Sequence, residues 1–522
     1  MINFSIKNLF LQLGLSLLLA LAVLLVLGQA NPLTTKLGRD SGIYAYVGRQ
    51  VLHGIPPYVT AWESKPPGIF FINALALLLG RGTRWGIWAV EFVFLLASAW
   101  LGFFTLSKKF GQGPALLASL IWLAGLNIIL DGGNLTEEYS LIFGMLAVFL
   151  LSRMFEAQKH QFWLDILLGL FSGLNFLLRP NNIGAQFSLV LTLIIIQILQ
   201  SRTLTLVKRL LIIFCAGALP VLATGLYFWG HGALQPFLDA SFLYNFSYTG
   251  SHFNPISSLF AGVESLGFSI GIAGIGYFLA LGELGSQVKN RSLDPFVLWI
   301  VLDGVVEVFF SGLSGRNYEH YFINWLPLVA VSSAYLLFTI MPGFMRWSEK
   351  RFGLIVSLLL VIVLDLYFDG FRTYWLTFEQ LASGTPQVEQ PDRVARYINE
   401  NTQPGETVLV WGGQAGVNFL AERDAPTPYT FYPLYVPSKV TDRISLEFYQ
   451  AMLVHPPELI VDGSYYSSGT IIPLSAINPS NWMFSRNGYS LPYLEEFYAF
   501  FRSNYSYKTS ITGIPIYRLN GK

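Results

Sequence analysis

Asp40 and Lys65 are the residues near the N-terminus whose types suggest catalysis. Both lie in the polar segment 38–71, which reads GRDSGIYAYVGRQVLHGIPPYVTAWESKPPGIFF. An aspartate can act as a general base that takes the proton of a hydroxyl group. A lysine can stabilise the negative charge that develops on a departing phosphate. The two residues are therefore a candidate general base and a candidate phosphate-binding cation.

Two further acids, Glu137 and Glu138, form a second cluster within DGGNLTEEYS (131–140). Acids in the first turn of a helix suit the helix dipole, and Thr136 is a candidate N-cap, so the cluster could be structural. Alternatively, a second carboxylate could orient an acceptor or hold a divalent cation. The residues leave both interpretations open.

Cations and hydrogen-bond donors mark two more places in the chain. Arg179 begins RPNN (179–182) between two apolar runs, and its planar guanidinium matches the geometry of a phosphate. The segment 314–327, SGRNYEHYFINWLP, is rich in donors and has no spacing typical of metal ligands. Its candidate site residues are Arg316, Tyr318, His320 and Tyr321.

The composition shows which elements must position these residues. Of 522 residues, 53% are apolar or aromatic and only 12% are charged, against about 25% charged in an average soluble domain. Mean hydropathy is +0.50, and the net charge is +1. These values exclude a soluble enzyme, a disordered protein and a nucleic-acid binder with a basic face. Cys215 is the only cysteine, which excludes an intrachain disulfide and a cysteine-based zinc site.

Eleven windows of the sequence are apolar enough to predict membrane-spanning helices, each of which needs about 20 residues. They are 9–28, 84–106, 114–130, 138–152, 161–178, 183–200, 210–229, 257–282, 295–311, 322–341 and 353–368. The apolar run 67–80 is too short to span and predicts an interfacial or re-entrant helix. The fold class is therefore an α-helical polytopic membrane protein.

The short loops predict the orientation of these helices, because loop Lys and Arg residues collect on the cytoplasmic side. With a cytoplasmic N-terminus in the plasma (inner) membrane, nearly all loop cations lie inside. The polar clusters then lie outside, where they could form a site or be interfacial residues whose side chains reach into water. Asp303 and Glu307 share a helix face within 295–311, and either a functional or a structural role fits them, as it does Glu91.

The last part of the chain differs in composition from the rest. From about residue 375 onward, polar residues and proline return, and helix and strand patterns alternate. The predicted elements are helices over 391–401 and 444–454 and strands over 407–413 and 458–463. Alternating elements predict a small α/β domain. We expect two domains, a transmembrane domain over 1–370 and an extracytoplasmic α/β domain over 375–522.

Several motifs resemble those of GT-C-type membrane glycosyltransferases that depend on polyprenyl-phosphate sugars. The similarity is closest to bacterial members of glycosyltransferase family 39, relatives of protein O-mannosyltransferases and of the lipid A aminoarabinose transferase. The motifs are RDSG (39–42), KPPG (65–68), LLRPNN (177–182) and GRNYEHYF (315–322). Many relatives have Asp-Glu at the first motif, whereas this chain has Asp40-Ser41.

The resemblance implies an inverting transfer of a sugar from a polyprenyl-phosphate-linked donor to an extracytoplasmic lipid, glycan or protein. It implies that Asp40 is the catalytic base and that Lys65 and Arg179 bind the donor phosphate, with Arg316 as a third cation. The remaining acceptor or second-carboxylate candidates are Glu137, Glu138, Tyr318, His320 and Tyr321. The expected partners are the donor, an acceptor and the lipid bilayer, but no nucleic acid, and the only cofactor considered is a divalent cation.

The alternative is a multi-span transporter or lipid flippase with an extracytoplasmic domain. Such a protein needs polar residues along a path through both leaflets. Most polar clusters are predicted on the outer side, which favours the enzyme, whereas Asp303, Glu307 and Glu91 support the alternative.

Overall fold

The computed structural model describes residues 6–156, 161–249, 253–344, 349–384, 392–434, 436–467, 471–477, 479 and 490–521. Most of these residues are helical. In the first part of the chain the helices are α1 Ile6–Val26, α2 Arg39–Leu52, α3 Gly68–Leu79, α4 Arg84–Phe110, α5 Gln112–Ile129, α6 Thr136–Glu156, α7 Phe162–Phe176, α8 Gly184–Leu199, α9 Thr203–Gly230, α10 Leu234–Leu238, α11 Tyr244–Thr249, α12 Pro255–Lys289, α13 Pro295–Gly312, α14 Leu326–Phe344 and α15 Glu349–Ala382. The C-terminal part contains α16 Arg393–Asn401, β1 Val408–Trp411, α17 Ala415–Ala421, α18 Lys439–Val454, β2 Leu459–Asp462, α19 Leu494–Asn504, β3 Tyr505–Ile511 and β4 Ile514–Leu519.

Nine helices within the described ranges are long and apolar enough to cross a membrane. They are Phe10–Ala30, Arg84–Phe110, Gln112–Ile129, Thr136–Glu156, Pro180–Leu199, Thr203–Gly230, Pro255–Lys289, Pro295–Gly312 and Glu319–Met341. Nine of the eleven predicted windows coincide with them. The chain is therefore a multi-pass membrane protein, as its composition predicts.

The two remaining windows explain why the count of eleven stays a prediction. Window 161–178 corresponds to α7, which has only 15 residues. Window 353–368 lies in α15, where most side chains fall outside the described residues. The run predicted as an interfacial or re-entrant helix over 67–80 is helical as α3, with 12 residues.

The chain divides into two compact units, and each is built from separated stretches. The first unit contains Met1–Thr34, Trp88–Thr224 and His252–Pro386. The second contains Thr35–Ile87, Gly225–Ser251 and Gln387–Lys522. The boundary between 1–370 and 375–522 stays a prediction, but the segment that carries Asp40 and Lys65 folds with the C-terminal part.

Small residues bring helices of the first unit close together, as is common where helices pack within a membrane. Gly169 of α7 faces Gly217 of α9, and a Cβ added at Gly169 would lie 2.8 Å from the Cβ of Ala216. Arg209 of α9 also donates hydrogen bonds of 2.7 to 3.1 Å to the carboxylate of Asp165 on α7. A buried bidentate ion pair therefore joins two tightly packed helices.

The acids Asp303 and Glu307 lie in the interior of the first unit, on α13. This helix packs against α8, and the indole nitrogen of Trp299 donates a 3.2 Å hydrogen bond to the main-chain oxygen of Ala185. The carboxyl group of Glu307 occupies the space that a side chain at Gly184 would need. Glu307 therefore takes part in the contact between α13 and α8, and Asp303 lies one turn earlier on the same helix.

The second unit contains a four-stranded sheet in the order β1-β2-β4-β3. The strands β1 and β2 are parallel, with Val408 opposite Leu459, and the other pairs are antiparallel. The indole of Trp411 stacks on Phe497 with ring centroids 5.1 Å apart and anchors an aromatic core beside the sheet. Helices and strands alternate as the sequence predicts, so the small α/β fold is confirmed.

Helix α2 packs against two neighbours at glycine positions within the second unit. A Cβ added at Gly48 would lie 2.8 Å from the Cβ of Asn73, so the absence of a side chain lets α2 approach α3. A Cβ added at Gly42 would lie 2.7 Å from the Cα of Gly416, at the start of α17. The helix is therefore held between α3 and the C-terminal part of the chain.

Candidate functional site

The packing of α2 against α3 brings Asp40 and Lys65 together. Asp40 lies in the first turn of α2, and Lys65 precedes the two prolines that lead into α3. The ammonium nitrogen of Lys65 is 3.8 Å from the Oδ2 atom of Asp40, and both side chains are partly exposed. The two residues that the sequence singled out for proton transfer and phosphate binding are therefore neighbours, accessible to a ligand.

Glu63 is a third member of this cluster. Its Oε1 atom is 3.4 Å from the Lys65 ammonium and accepts a 3.1 Å hydrogen bond from the Ser64 hydroxyl. Glu63 is only 2% exposed, so Lys65 compensates a buried carboxylate as well as facing Asp40. In the sequence, its position two residues before the lysine was the only signal of this role.

The second unit also holds α2 in place at its far end. The Arg49 guanidinium donates a 3.0 Å hydrogen bond to the main-chain oxygen of Phe419, at the end of α17. It also lies 3.2 Å from the carboxylate of Asp424, to which Gln50 donates a 2.7 Å hydrogen bond. A cation suits the carboxyl end of a helix, where unpaired carbonyl groups collect. The C-terminal part thus supports the helix that carries Asp40.

In the first unit, Arg179 and Glu137 form an ion pair between two nearly buried side chains. The Thr136 hydroxyl donates a 2.7 Å hydrogen bond to the other carboxylate oxygen of Glu137. The Arg179 guanidinium also lies 4.0 Å above the ring of Tyr321, which favours a cation. Arg179 therefore has a carboxylate partner of its own, which the local sequence did not indicate.

Glu138 and Glu91 contact the loop that precedes α6. The Oε2 atom of Glu138 accepts a 3.4 Å hydrogen bond from the main-chain nitrogen of Leu135, and a carboxylate oxygen of Glu91 accepts one from that of Asn134. Residues 131–134 all have positive φ angles, and at the end of this turn the amide groups of Asn134 and Leu135 point toward the two carboxylates. Both acids therefore contact this loop, and the choice between a structural and a functional role for Glu137 and Glu138 stays open.

The donor-rich segment forms a short aromatic stack beside Arg179. The rings of Tyr318 and His320 stack with centroids 5.8 Å apart, and His320 meets the ring of Tyr321 edge-on at 4.8 Å. Tyr321 is buried, whereas Tyr318 and Arg316 are exposed. The main chain of Arg316 is held by the Ser314 hydroxyl at 3.3 to 3.4 Å.

The structure therefore assembles the predicted residues into two clusters, one in each unit. The second unit combines Asp40 and Lys65 with Glu63, and the first combines Glu137 and Arg179 with the Tyr321 ring. Among the residues described by the structure, no group of three or more His, Cys, Asp or Glu side chains could hold a metal ion. The divalent cation considered for the acids stays a prediction.

Comparisons with known proteins bear on the fold. Residues 64–228 match the family model of dolichyl-phosphate-mannose-protein mannosyltransferases. The chain is similar to ArnT from Cupriavidus metallidurans bound to undecaprenyl phosphate, with a TM-score of 0.60 at 12% identity over 97% of each chain. The same protein in the apo state gives 0.56 at 12% identity, over 89% of this chain and 95% of that chain.

A second kind of membrane enzyme shares the architecture. The Archaeoglobus fulgidus oligosaccharyltransferase, tethered by a disulfide to an acceptor peptide containing the NVT sequon, gives a TM-score of 0.53 at 13% identity. The match covers 88% of this chain and 71% of that chain. A search of curated proteins gives no match. The resemblance drawn from the motifs is thus confirmed: the chain has the fold of GT-C-type membrane glycosyltransferases, and its residues 64–228 match a family of mannosyltransferases.

Proposed function

We propose that the protein is an inverting glycosyltransferase that moves a sugar from a polyprenyl-phosphate donor to an extracytoplasmic acceptor. The observation that carries the proposal is the cluster of Asp40 and Lys65, whose charged groups lie 3.8 Å apart. A proton acceptor and a phosphate-binding cation are the two groups that such a transfer requires. The fold and the family match over 64–228 support the same reaction class.

In the proposed reaction, the carboxylate of Asp40 takes the proton of an acceptor hydroxyl while the oxygen of that hydroxyl attacks the anomeric carbon of the donor sugar. The bond between that carbon and the donor phosphate oxygen breaks, and the phosphate leaves with an additional negative charge. The Lys65 ammonium stabilises this charge. Because the carboxylate of Glu63 also faces Lys65, the ammonium group keeps a carboxylate partner when the phosphate binds.

The donor lipid and the further ligand residues are also part of the proposal. Undecaprenyl phosphate bound to the structurally similar ArnT supports a polyprenyl-phosphate leaving group. The roles of Arg179 and Arg316 in phosphate binding rest on the motif resemblance, and for Arg179 an anion would have to compete with Glu137. Tyr318, His320, Tyr321, Glu137 and Glu138 are proposed for the acceptor, which could be a lipid, a glycan or a protein.

The proposed location is the plasma (inner) membrane, with the N-terminus in the cytoplasm. The one-sided distribution of loop Lys and Arg residues supports this orientation. Asp40, Lys65 and the C-terminal α/β part would then face the extracytoplasmic side, where polyprenyl-linked sugars could meet an acceptor.

Incubation of the purified protein with undecaprenyl-phosphate-linked hexoses and pentoses tests the proposal. We expect water to take the place of the acceptor hydroxyl, so that at least one donor is hydrolysed to free sugar and undecaprenyl phosphate, measured by mass spectrometry, and we expect no reaction with nucleotide sugars. If no donor reacts, while the protein in liposomes moves a labelled polyprenyl lipid between leaflets, the flippase alternative replaces the enzyme.

A further inference from the structure

Tyr58 lies in the loop between α2 and α3 with a main-chain conformation that residues with side chains rarely adopt. Its φ angle is 73°, in the left-handed region where a Cβ atom crowds the main chain. Such strain persists only where surrounding contacts outweigh it. The contacts of Tyr58 therefore show which interactions outweigh the strain at this turn.

The hydroxyl of Tyr58 connects two parts of the second unit. It donates a 2.7 Å hydrogen bond to the main-chain oxygen of Lys65 and accepts one of 3.0 Å from the Ser241 hydroxyl. Its ring is buried against Phe70, with centroids 5.7 Å apart. Burial raises the pKa of the Tyr58 hydroxyl well above its ordinary value, so this hydroxyl keeps its proton and remains a donor to Lys65.

Asn245 holds the residue before the lysine. Its side-chain nitrogen donates a 2.7 Å hydrogen bond to the main-chain oxygen of Ser64 and a 3.0 Å bond to that of Ser241. Asn245 therefore fixes the Ser64 carbonyl directly, and Ser241 in the same short segment supports the Tyr58 hydroxyl that fixes the Lys65 carbonyl. At the other end of the lysine, the ammonium is fixed by Glu63 at 3.4 Å.

We propose that Tyr58 is a positioning residue for Lys65. Its hydroxyl, supported by Ser241, holds the lysine main chain so that the ammonium is already in place when a phosphate group binds. This inference rests on the proposed function, in which Lys65 binds the donor phosphate. A side chain ordered in advance avoids the entropy cost of ordering it on binding, which raises affinity.

A double-mutant cycle on the affinity for undecaprenyl phosphate tests the inference, with binding to the detergent-purified protein measured by calorimetry. We expect Lys65→Ala to weaken binding at least ~30-fold, because it removes the charged partner of the phosphate. Tyr58→Phe, which removes both the hydrogen bond to Lys65 and the one from Ser241, should weaken binding about 3- to 10-fold. The double variant should bind no more weakly than Lys65→Ala alone, because Tyr58 acts through the lysine.

Tyr505→Phe is the matched control. Tyr505 is also buried in the second unit, and its hydroxyl donates a 2.8 Å hydrogen bond to the main-chain oxygen of Pro457. We expect this variant to lose some stability and to bind undecaprenyl phosphate as the unmodified protein does. If Tyr58→Phe does not fold, Ser241→Ala tests the same contact, because it removes the hydrogen bond that supports the Tyr58 hydroxyl. This variant should also bind undecaprenyl phosphate more weakly.

The outcomes separate the inference from the function on which it rests. If Lys65→Ala binds like the unmodified protein, the proposed role of the lysine is wrong. If Lys65→Ala binds weakly but Tyr58→Phe and Ser241→Ala bind normally, the lysine role stands and the positioning role is overturned. If the losses of affinity in Tyr58→Phe and Lys65→Ala add fully in the double variant, the positioning role is overturned as well.

Discussion

The ion pair of Arg179 and Glu137 buries two opposite charges, each of which compensates the other. Both side chains are at least nine-tenths buried. Removal of one partner leaves an uncompensated buried charge, which costs about 3–5 kcal/mol. We expect Arg179→Met to lower the free energy of unfolding by about that amount and the added change Glu137→Gln to restore most of it. Chemical denaturation in detergent measures both variants.

Arg316 provides the control for this prediction. Its side chain is exposed, so Arg316→Met should change the free energy of unfolding by no more than about 0.5 kcal/mol. If Arg179→Met were as stable as the unmodified protein, Glu137 would not depend on Arg179.

The residue types of Asp40 and Lys65 were enough to predict them as candidate site residues, whereas the side chains that contact the candidate site residues could not be predicted in the same way. A carboxylate and a lysine near a predicted membrane surface suggest chemistry by themselves. The hydroxyl of Tyr58 and the ion pair of Glu137 with Arg179 depend on long-range packing, which no local pattern encodes. The position of Glu63 two residues before Lys65 indicated a contact with the lysine. No local pattern indicated that Glu63 is buried.

At the scale of elements, the close approach of α2 and α3 determines how far Asp40 lies from Lys65. A methyl group at Gly48 would lie 2.8 Å from the Cβ of Asn73 and 3.0 Å from the main-chain nitrogen of Ala74. Overpacking of this kind costs about 1–3 kcal/mol. We expect Gly48→Ala to lower the free energy of unfolding by that amount and to reduce donor turnover, because the two helices must separate. Denaturation and a turnover assay check the two effects.

Gly271→Ala is the matched control within a helix. No heavy atom outside its own helix lies within 4 Å of a Cβ added there, so the variant should be as stable as the unmodified protein or up to about 1 kcal/mol more stable. Unchanged turnover in Gly48→Ala, with stability equal to that of Gly271→Ala, would contradict a fixed spacing between α2 and α3.

The apolar windows predict most long helices because a membrane span has a required length and composition. Nine windows coincide with helices that meet both criteria. Window 161–178 shows the limit of this approach, because its apolar run continues beyond the residues that form α7. Close helix contacts at glycine residues, such as that of Gly42 with Gly416, cannot be predicted from hydropathy.

At the scale of the whole molecule, the second unit is built from three stretches far apart in sequence. The sequence assigned the segment with Asp40 and Lys65 to the transmembrane domain because it lies between two apolar windows. In the structure, Arg49 and Gly42 instead dock this segment on α17. A chain that lacks the C-terminal part would therefore lose support for α2.

Cysteine labelling tests the predicted orientation of the chain in the membrane. In a Cys215→Ala background, we expect Glu319→Cys to react with a membrane-impermeant maleimide in intact cells. Gln112→Cys should react only after the membrane is permeabilised, because Lys108 and Lys109 next to it predict a cytoplasmic loop. Both positions are exposed, so accessibility within the protein does not limit labelling. The reverse pattern would place Asp40 and Lys65 on the cytoplasmic side.

Donor turnover by Asp40→Asn is the most direct measurement of the proposed catalysis. The substitution keeps the shape of the side chain, and Lys65 retains Glu63 as a partner at 3.4 Å. We therefore expect nearly unchanged binding of undecaprenyl phosphate, whereas release of undecaprenyl phosphate from a reactive donor falls at least ~100-fold, as is typical for the loss of an acid–base group. Turnover close to that of the unmodified protein would contradict Asp40 as the base and, with it, the proposed mechanism.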